Sequence, residues 1–205
     1  AASILKAASE AKKKGVLTMA DNTSLTYSGA DAATYGGAIV TGTTAGDRAL
    51  VFTSGAGNGD LTFSGTVSGT GDLVIGAANG STATTTLAFA LGTLAGRTVI
   101  EDANVAINTQ ASIGAAGLSL TGATVTLGTG ITLGAGQDLV VSTASTLTGA
   151  AGSGNKAFTV DSAMSGGGNL GLDRVDMRIT GATSTYTGGV TLAGTSTLTT
   201  GNQQW

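Results

Sequence analysis

Two groups of charged residues have types that could carry acid–base chemistry. The neighbours Glu101–Asp102 would point to opposite faces of a strand, whereas acid–base catalysis needs two carboxylates that converge. Asp173 and Asp176 lie close together in a second group. On a strand Asp176 would share one face with Arg174 and Arg178, which favours a surface ion-pair ladder over a catalytic pair.

The residue types that most enzymes and metal sites depend on are missing. The sequence has no His and no Cys, so it cannot form a zinc site with thiolate or imidazole ligands or a Ser-His-Asp or Cys-His nucleophile. We therefore predict no catalytic residue, no cofactor, no metal ligand and no enzymatic activity.

Calcium is the metal whose binding motif the sequence matches most nearly. Four corner phrases place Asp or Asn between a Gly-rich turn and a Leu: Gly57–Leu61, Gly69–Leu73, Gly134–Leu139 and Gly166–Leu170. In the calcium-binding β-roll motif the Asp lies one position later and the copies are contiguous. We expect these side chains to cap turns, with calcium binding as the less favoured alternative.

Threonine pairs in a T-x-T pattern suggest a different surface. Such pairs are Thr84/Thr86, Thr124/Thr126, Thr183/Thr185 and Thr197/Thr199. Stacked outward Thr on a solenoid is one way to present ordered hydroxyl and methyl groups to ice. The pairs do not recur at a fixed period, so ice binding is a lesser alternative, and plain solvent-facing β-propensity is the simpler explanation.

Charge divides the chain into a basic start and an acidic remainder. Residues 1–14 carry four Lys and one Glu, whereas the net charge of the whole chain is −3. Helical spacing of apolar residues and Gly15 as a stop predict a basic amphipathic helix over 1–15, which acts as a cap or a docking arm. The charge gives no support to nucleic-acid binding. The sequence has no stretch of 18 consecutive apolar residues, so no membrane span is predicted.

Residues 16–205 have a sequence pattern typical of a β-solenoid. Runs of three to five residues with apolar side chains at i and i+2 alternate with Gly, Thr, Ser, Asn or Asp, as in Leu118–Leu120, Val125–Leu127 and Ile131–Leu133. Gly is abundant (35 residues) and Pro is absent, which suits tight corners and strands paired on both sides. We predict an all-β, right-handed parallel β-helix of about nine coils; a sandwich or barrel is the alternative.

Two longer segments echo each other, which predicts stacked self-similar units. Residues 177–192 repeat the pattern of 25–40, including Tyr186-Thr-Gly-Gly189 against Tyr35-Gly-Gly37. With Gly168 and Leu170, this segment resembles the autotransporter-associated β-strand repeat, also called the passenger-associated transport repeat. One departure is Thr183 or Ser184 where that family often has Asn. The resemblance implies a right-handed β-helix displayed outside a Gram-negative-type cell as an adhesin or surface-layer component.

We therefore predict a secreted or cell-surface bacterial protein that associates with itself head to tail in a fibre, filament or surface layer. Solenoid ends expose unpaired strand edges, which recruit further strands unless they are covered. The candidate subunit contacts are Ile4, Leu5, Lys12, Lys13, Lys14, Leu198 and Trp205. The alternative is a monomeric adhesin or passenger segment that binds glycan or a host surface. An enzyme ranks third, since polysaccharide lyases and hydrolases also use β-helices.

Overall fold

The computed structural model describes residues 15–19, 24–27, 30–53, 59–77, 81–181 and 184–201, without the side chains of 52 and 53. Within these ranges the chain is a parallel β-solenoid of eight turns, which confirms the all-β solenoid prediction. Each turn crosses three faces of the solenoid in a constant order, and each strand pairs in parallel with strands of adjacent turns.

Faces 1 and 2 are continuous eight-stranded sheets. Face 1 comprises β2 (Ser24–Tyr27), β5 (Arg48–Thr53), β8 (Asp72–Ala77), β11 (Thr98–Glu101), β13 (Gly117–Thr121), β16 (Asp138–Val141), β19 (Met164–Gly166) and β22 (Ser184–Tyr186). Face 2 comprises β3 (Ala33–Tyr35), β6 (Leu61–Phe63), β9 (Thr84–Leu87), β12 (Asn104–Ile107), β14 (Thr124–Leu127), β17 (Ser145–Gly149), β20 (Leu170–Asp173) and β23 (Val190–Ala193).

Face 3 is divided into two four-stranded sheets. The first contains β1 (Leu17–Thr18), β4 (Ile39–Val40), β7 (Thr66–Gly69) and β10 (Leu91–Leu94). The second contains β15 (Ile131–Leu133), β18 (Lys156–Val160), β21 (Val175–Ile179) and β24 (Thr197–Thr200). A short 3-10 turn, Gln110–Ser112, occupies the level between them.

The alternating apolar residues form the core because strand side chains point to opposite faces at every step. Leu118 and Leu120 on face 1 and Val125 and Leu127 on face 2 are fully buried, while their neighbours in sequence point outward. Every apolar run that the sequence analysis names lies within a strand. Fully buried aromatic and aliphatic side chains thus stack in columns from turn to turn, as Phe63 does on Phe89 with ring centres 5.9 Å apart.

The number of coils is eight rather than the predicted nine, because the turns are longer than the expected roughly 20 residues. Leu25 pairs with Val51, which is 26 residues further on, whereas Met164 pairs with Ser184 only 20 residues further on. Corners of different length absorb the difference while the strands keep their register. At about 4.8 Å per strand, the first and last strands of a face lie roughly 34 Å apart.

The Gln110–Ser112 turn replaces one strand of face 3, and side chains make the hydrogen bonds that the missing strand would have made. The side-chain amide of Gln110 donates to the carbonyl of Thr132 at 3.0 Å and accepts the N–H of Thr132 at 2.9 Å. The fully buried Thr98 hydroxyl donates to the carbonyl of Ser112 and accepts the N–H of Gly114. The inward Thr98 is therefore explained by the polar backbone of this turn.

The two Tyr-x-Gly segments form corners of the same design. The Tyr35 hydroxyl donates to the carbonyl of Gly15 at 2.7 Å, and the Tyr186 hydroxyl donates to the carbonyl of Gly168 at 2.6 Å. A Cβ on Gly37 would overlap that same Gly15 oxygen. The aromatic ring and the Gly two residues later thus hold successive turns close together.

The predicted helix over 1–15 lies outside the described residues except for Gly15, which is exposed and not in a helix. Within the described ranges, no helix has the length and apolar character needed to span a membrane. Helical structure there is limited to the Gln110–Ser112 turn.

Candidate functional site

The corner Asp and Asn side chains each accept a backbone N–H from the residue stacked above them in the next turn. Asp60 Oδ1 accepts from Thr84 at 2.8 Å, and Asp72 Oδ1 accepts from Arg97 at 2.7 Å. The same contact is made by Asp138 Oδ1 with Ala163 at 3.3 Å and by Asn169 Oδ1 with Gly189 at 3.0 Å. The predicted capping is present, but it links two turns instead of closing the residue's own turn.

In this geometry one oxygen of each corner carboxylate accepts a hydrogen bond across turns. Six to eight oxygen ligands must converge on calcium, whereas successive corner carboxylates lie on different faces or turns and already accept hydrogen bonds. Among the described residues, no three acidic side chains are grouped closely enough to hold a metal ion.

The charged group near Asp173 is arranged differently from the predicted ion-pair ladder. Arg174 lies at the corner between β20 and β21 with a left-handed φ of 55°, so it does not share a strand face with Asp176 and Arg178. Its guanidinium instead contacts Asp173 Oδ2 at 3.0 Å and the Thr148 hydroxyl at 3.0 Å. The prediction of a three-residue ladder was therefore wrong, because the strand begins one residue after Arg174.

Asp176 is held by neutral donors from two neighbouring turns. Its Oδ1 accepts from the side-chain amide of Asn155 at 2.8 Å and from the hydroxyl of Thr197 at 2.7 Å. These hydrogen bonds, that from Thr197 first, favour the charged form and lower the pKa of Asp176 below its usual value of 3.8. A carboxylate that stays ionised is a poor general acid, so Asp176 is best described as a hydrogen-bond acceptor that links neighbouring turns.

Glu101 and Asp102 are separated by the end of a strand. Glu101 points outward at the end of β11 and forms an ion pair with Arg48, whose Nη2 lies 2.5 Å from its Oε2. Asp102 occupies the next corner with φ of 49°. The two carboxylates therefore do not lie on opposite faces of one strand, as the sequence suggests, because β11 ends at Glu101.

The last described turn has an open apolar end. Val190 and Leu192 pair in register with Leu170 and Leu172, which are buried in the core, and so they point inward. Nevertheless Leu192 is 50% exposed, since no described turn covers it. The predicted contact residue Leu198 pairs with the buried Met177 and is only partly buried at the same end.

The first described turn differs from the last. Leu25 and Tyr27 on β2 are each only 3% exposed, as buried as residues in the middle of the solenoid. The side chains at the two ends therefore differ in burial, although β1, β2 and β3 also pair with only one described strand each. Exposed apolar side chains also occur elsewhere, since Val16 near the first turn is 67% exposed and Leu91 on face 3 is 61% exposed. The other predicted contact residues, Ile4, Leu5, Lys12, Lys13, Lys14 and Trp205, lie outside the described residues.

Face 2 carries two outward rows in register that consist mostly of threonine, and the first row is followed by Asp173 next to Thr148. The first row is Thr34, Thr62, Thr86, Ala106, Thr126 and Thr148. The second row is Thr84, Asn104, Thr124 and Thr146. Two of the T-x-T pairs named from the sequence lie on this face, and Thr146/Thr148 is a third pair that was not named. The pair Thr197/Thr199 lies on face 3. Thr185 lies on face 1, and Thr183 is outside the described residues.

Comparison of the chain with models of protein families, with curated proteins and with solved structures finds no match in any of the three.

Proposed function

We propose that this protein is a non-enzymatic structural protein that associates with itself head to tail, as a subunit of a fibre, filament or surface layer. The observation that carries the proposal is the open C-terminal turn, where Leu192 points inward yet is half exposed. Burying the exposed half of such a side chain against a partner is favourable by about 1 kcal/mol.

Backbone hydrogen bonding supports the same contact. The strands β22, β23 and β24 each pair with only one described strand, so one edge of each presents unpaired N–H and C=O groups. A second copy whose first turn stacks on these edges would continue all three faces. A head-to-tail contact that repeats without closing on itself generates a filament.

The remaining parts of the proposal rest on the sequence. Residues 1–15 are proposed to form the basic amphipathic helix, with Ile4 and Leu5 on its apolar side and the Lys12–Lys14 run facing an acidic neighbour. Trp205 is proposed to add to the contact at the opposite end. The resemblance of the Tyr-x-Gly segments to the autotransporter passenger repeat supports a right-handed coil and a place at the bacterial cell surface.

Electron microscopy and analytical ultracentrifugation of the purified 205-residue chain test this proposal. We expect ordered polymers whose amount rises with protein concentration. Leu192→Lys places a charge at the open end and should leave a folded monomer. Burying the lysine ammonium in a contact between subunits without an opposite charge is unfavourable.

Thr132→Lys is the matched control, since Thr132 is exposed on face 3 in the middle of the solenoid. It should polymerise like the natural sequence. Monomers at all concentrations would overturn the proposal, and dispersed particles that bind immobilised glycans would support the adhesin alternative instead. Deletion of 1–14 separates the roles: lost polymers identify that segment as part of the joint, and unchanged polymers exclude it.

A further inference from the structure

Face 2 has the properties of a surface that binds ice, and we propose that its two rows of threonine bind the ordered water of an ice crystal. This function is independent of head-to-tail association, because the rows lie on the side of the solenoid and the proposed joint lies at its end.

The spacing of the hydroxyl groups comes from the sheet itself. Parallel strands lie about 4.7–4.9 Å apart, and side chains at i and i+2 of a strand are about 6.6 Å apart on one face. Thr124/Thr126 and Thr146/Thr148 therefore form a two-dimensional lattice on adjacent strands, and Thr84/Thr86 continue it two strands away, beyond Asn104 and Ala106. The spacing between strands is close to the shorter of the two repeats between oxygen atoms on a prism plane of ice.

Register, and not sequence period, aligns the lattice. Thr84 and Asn104 are 20 residues apart and Thr124 and Thr146 are 22 apart, yet both are direct strand partners. The irregular spacing that weakened the ice-binding hypothesis at the level of the sequence therefore does not disturb the array, since the corners absorb the extra residues.

Most of the hydroxyl groups are available to water, the exception being Thr148, which hydrogen-bonds to Asp173 and Arg174. Within the described chain Thr62, Thr86, Thr124, Thr126 and Thr146 have no side-chain hydrogen bond to the protein. Each is β-branched, which restricts χ1 on a strand and holds the hydroxyl and methyl groups in place. A rigid array loses little conformational entropy when it meets an equally rigid crystal surface.

Charge is absent from the middle of this array and begins at its two ends, where Asp173 follows Thr148 in register and Asp60 lies beside Thr84. The rows from Thr34 to Thr148 and from Thr84 to Thr146 contain no ionisable residue. By contrast, face 1 has Arg48 and Glu101 pointing outward, and face 3 has Arg178. Charged groups bind water strongly in their own geometry and would disrupt a lattice match, so face 2 is the face suited to ice.

The test is thermal hysteresis, measured as the gap between melting and growth of a single ice crystal in a solution of the purified chain. We expect a hysteresis gap and a faceted crystal for the natural sequence. Thr86→Lys and Thr126→Lys should each remove most of the gap, while circular dichroism should show an unchanged fold.

Thr132→Lys on face 3 is again the matched control and should keep the full gap. Asn104→Thr combined with Ala106→Thr completes both rows and should widen it. The absence of any gap in the natural sequence, or an equal loss in the Thr132 variant, would overturn the proposal. The same measurements on Leu192→Lys, which lacks the proposed joint, should still show the gap and so distinguish ice binding from polymerisation.

Discussion

At the scale of single residues, the space beside a backbone carbonyl decides which positions must be glycine. At Gly188 a Cβ would overlap the Gly168 oxygen, and the Tyr186 hydroxyl already lies against that oxygen. At Gly154 a Cβ would meet nothing within 4 Å, and the backbone is not left-handed. Two glycines of equal appearance in the sequence therefore differ in their tolerance of a side chain.

Replacing Gly188 by Ala should lower the free energy of unfolding by about 1–3 kcal/mol, because the methyl group overpacks the contact between turns. Gly154→Ala should be neutral or stabilising by up to about 1 kcal/mol, since it restricts the unfolded chain without a clash. Urea unfolding of the two variants measures this difference. Equal stability of the two would contradict the overlap at Gly188.

The lowered pKa of Asp176 leads to a second prediction at this scale. The hydroxyl of Thr197 contributes most to the shift, so Thr197→Val should raise the pKa of Asp176 towards the usual 3.8. Because the pKa is lower in the folded state, the contribution of Asp176 to stability is present above the unfolded value and is lost as the pH falls through the folded value.

Carbon-13 NMR titration of the Asp176 carboxyl measures this pKa directly. Thr199→Val is the control, because Thr199 lies on the same strand but pairs with Arg178, while the hydrogen bonds to Asp176 come from Asn155 and Thr197. An identical pKa of Asp176 in the natural sequence and in Thr197→Val would show that the hydroxyl does not hold the carboxylate.

At the scale of strands and corners, the two similar segments occupy different faces. The first segment runs through β2, β3 and β4, and so from face 1 to face 2 to face 3; the second runs through β21, β22 and β23, and so from face 3 to face 1 to face 2. The repeat is therefore out of phase with the solenoid by one face. The three corners must be similar enough in geometry for a Tyr-x-Gly segment to fit at two of them.

Gln110 is exposed, yet we expect it to contribute to stability. Its side-chain amide makes the hydrogen bonds that a strand peptide group would make at the break in face 3. Gln110→Ala removes both hydrogen bonds to Thr132 and should cost about 1 kcal/mol or more. The neighbouring amide Asn108 is exposed and its side chain makes no hydrogen bond to the described part of the chain, so Asn108→Ala serves as the control. Thermal or urea unfolding that affects both variants equally would argue against the bridging role.

At the scale of the whole molecule, each turn contacts its neighbours and little else, so stability depends on a one-dimensional stack of turns. The interior turns are paired above and below, whereas the last described turn is paired on one side. An end of this kind should open before the middle does.

Amide hydrogen exchange should therefore be faster in β23 and β24 than in β14 and β17 when the chain is monomeric. In polymers the difference should shrink, because the edges of the last turn would be covered. Leu192→Lys should keep the fast exchange at every concentration. Equal protection of all four strands in the monomer would show that the C-terminal end is already closed.

The sequence alone was enough to predict the parallel solenoid, because strand periodicity, corner glycines and the absence of proline all act locally. Alternation placed Leu118 and Val125 in the core, and the corner phrases identified Asp60 and Asp72 as backbone acceptors. The coil count was too high because corner length is set by how loops pack, which no short pattern records.

Only the tertiary structure decided which residues of neighbouring turns lie next to each other. It moved Arg174 off the strand, revealed the bridge from Gln110 to Thr132, and aligned Thr84 and Thr124 despite unequal spacing along the chain. The physical reason is that backbone pairing between turns fixes register over 20 or more residues, whereas sequence patterns carry information over only a few.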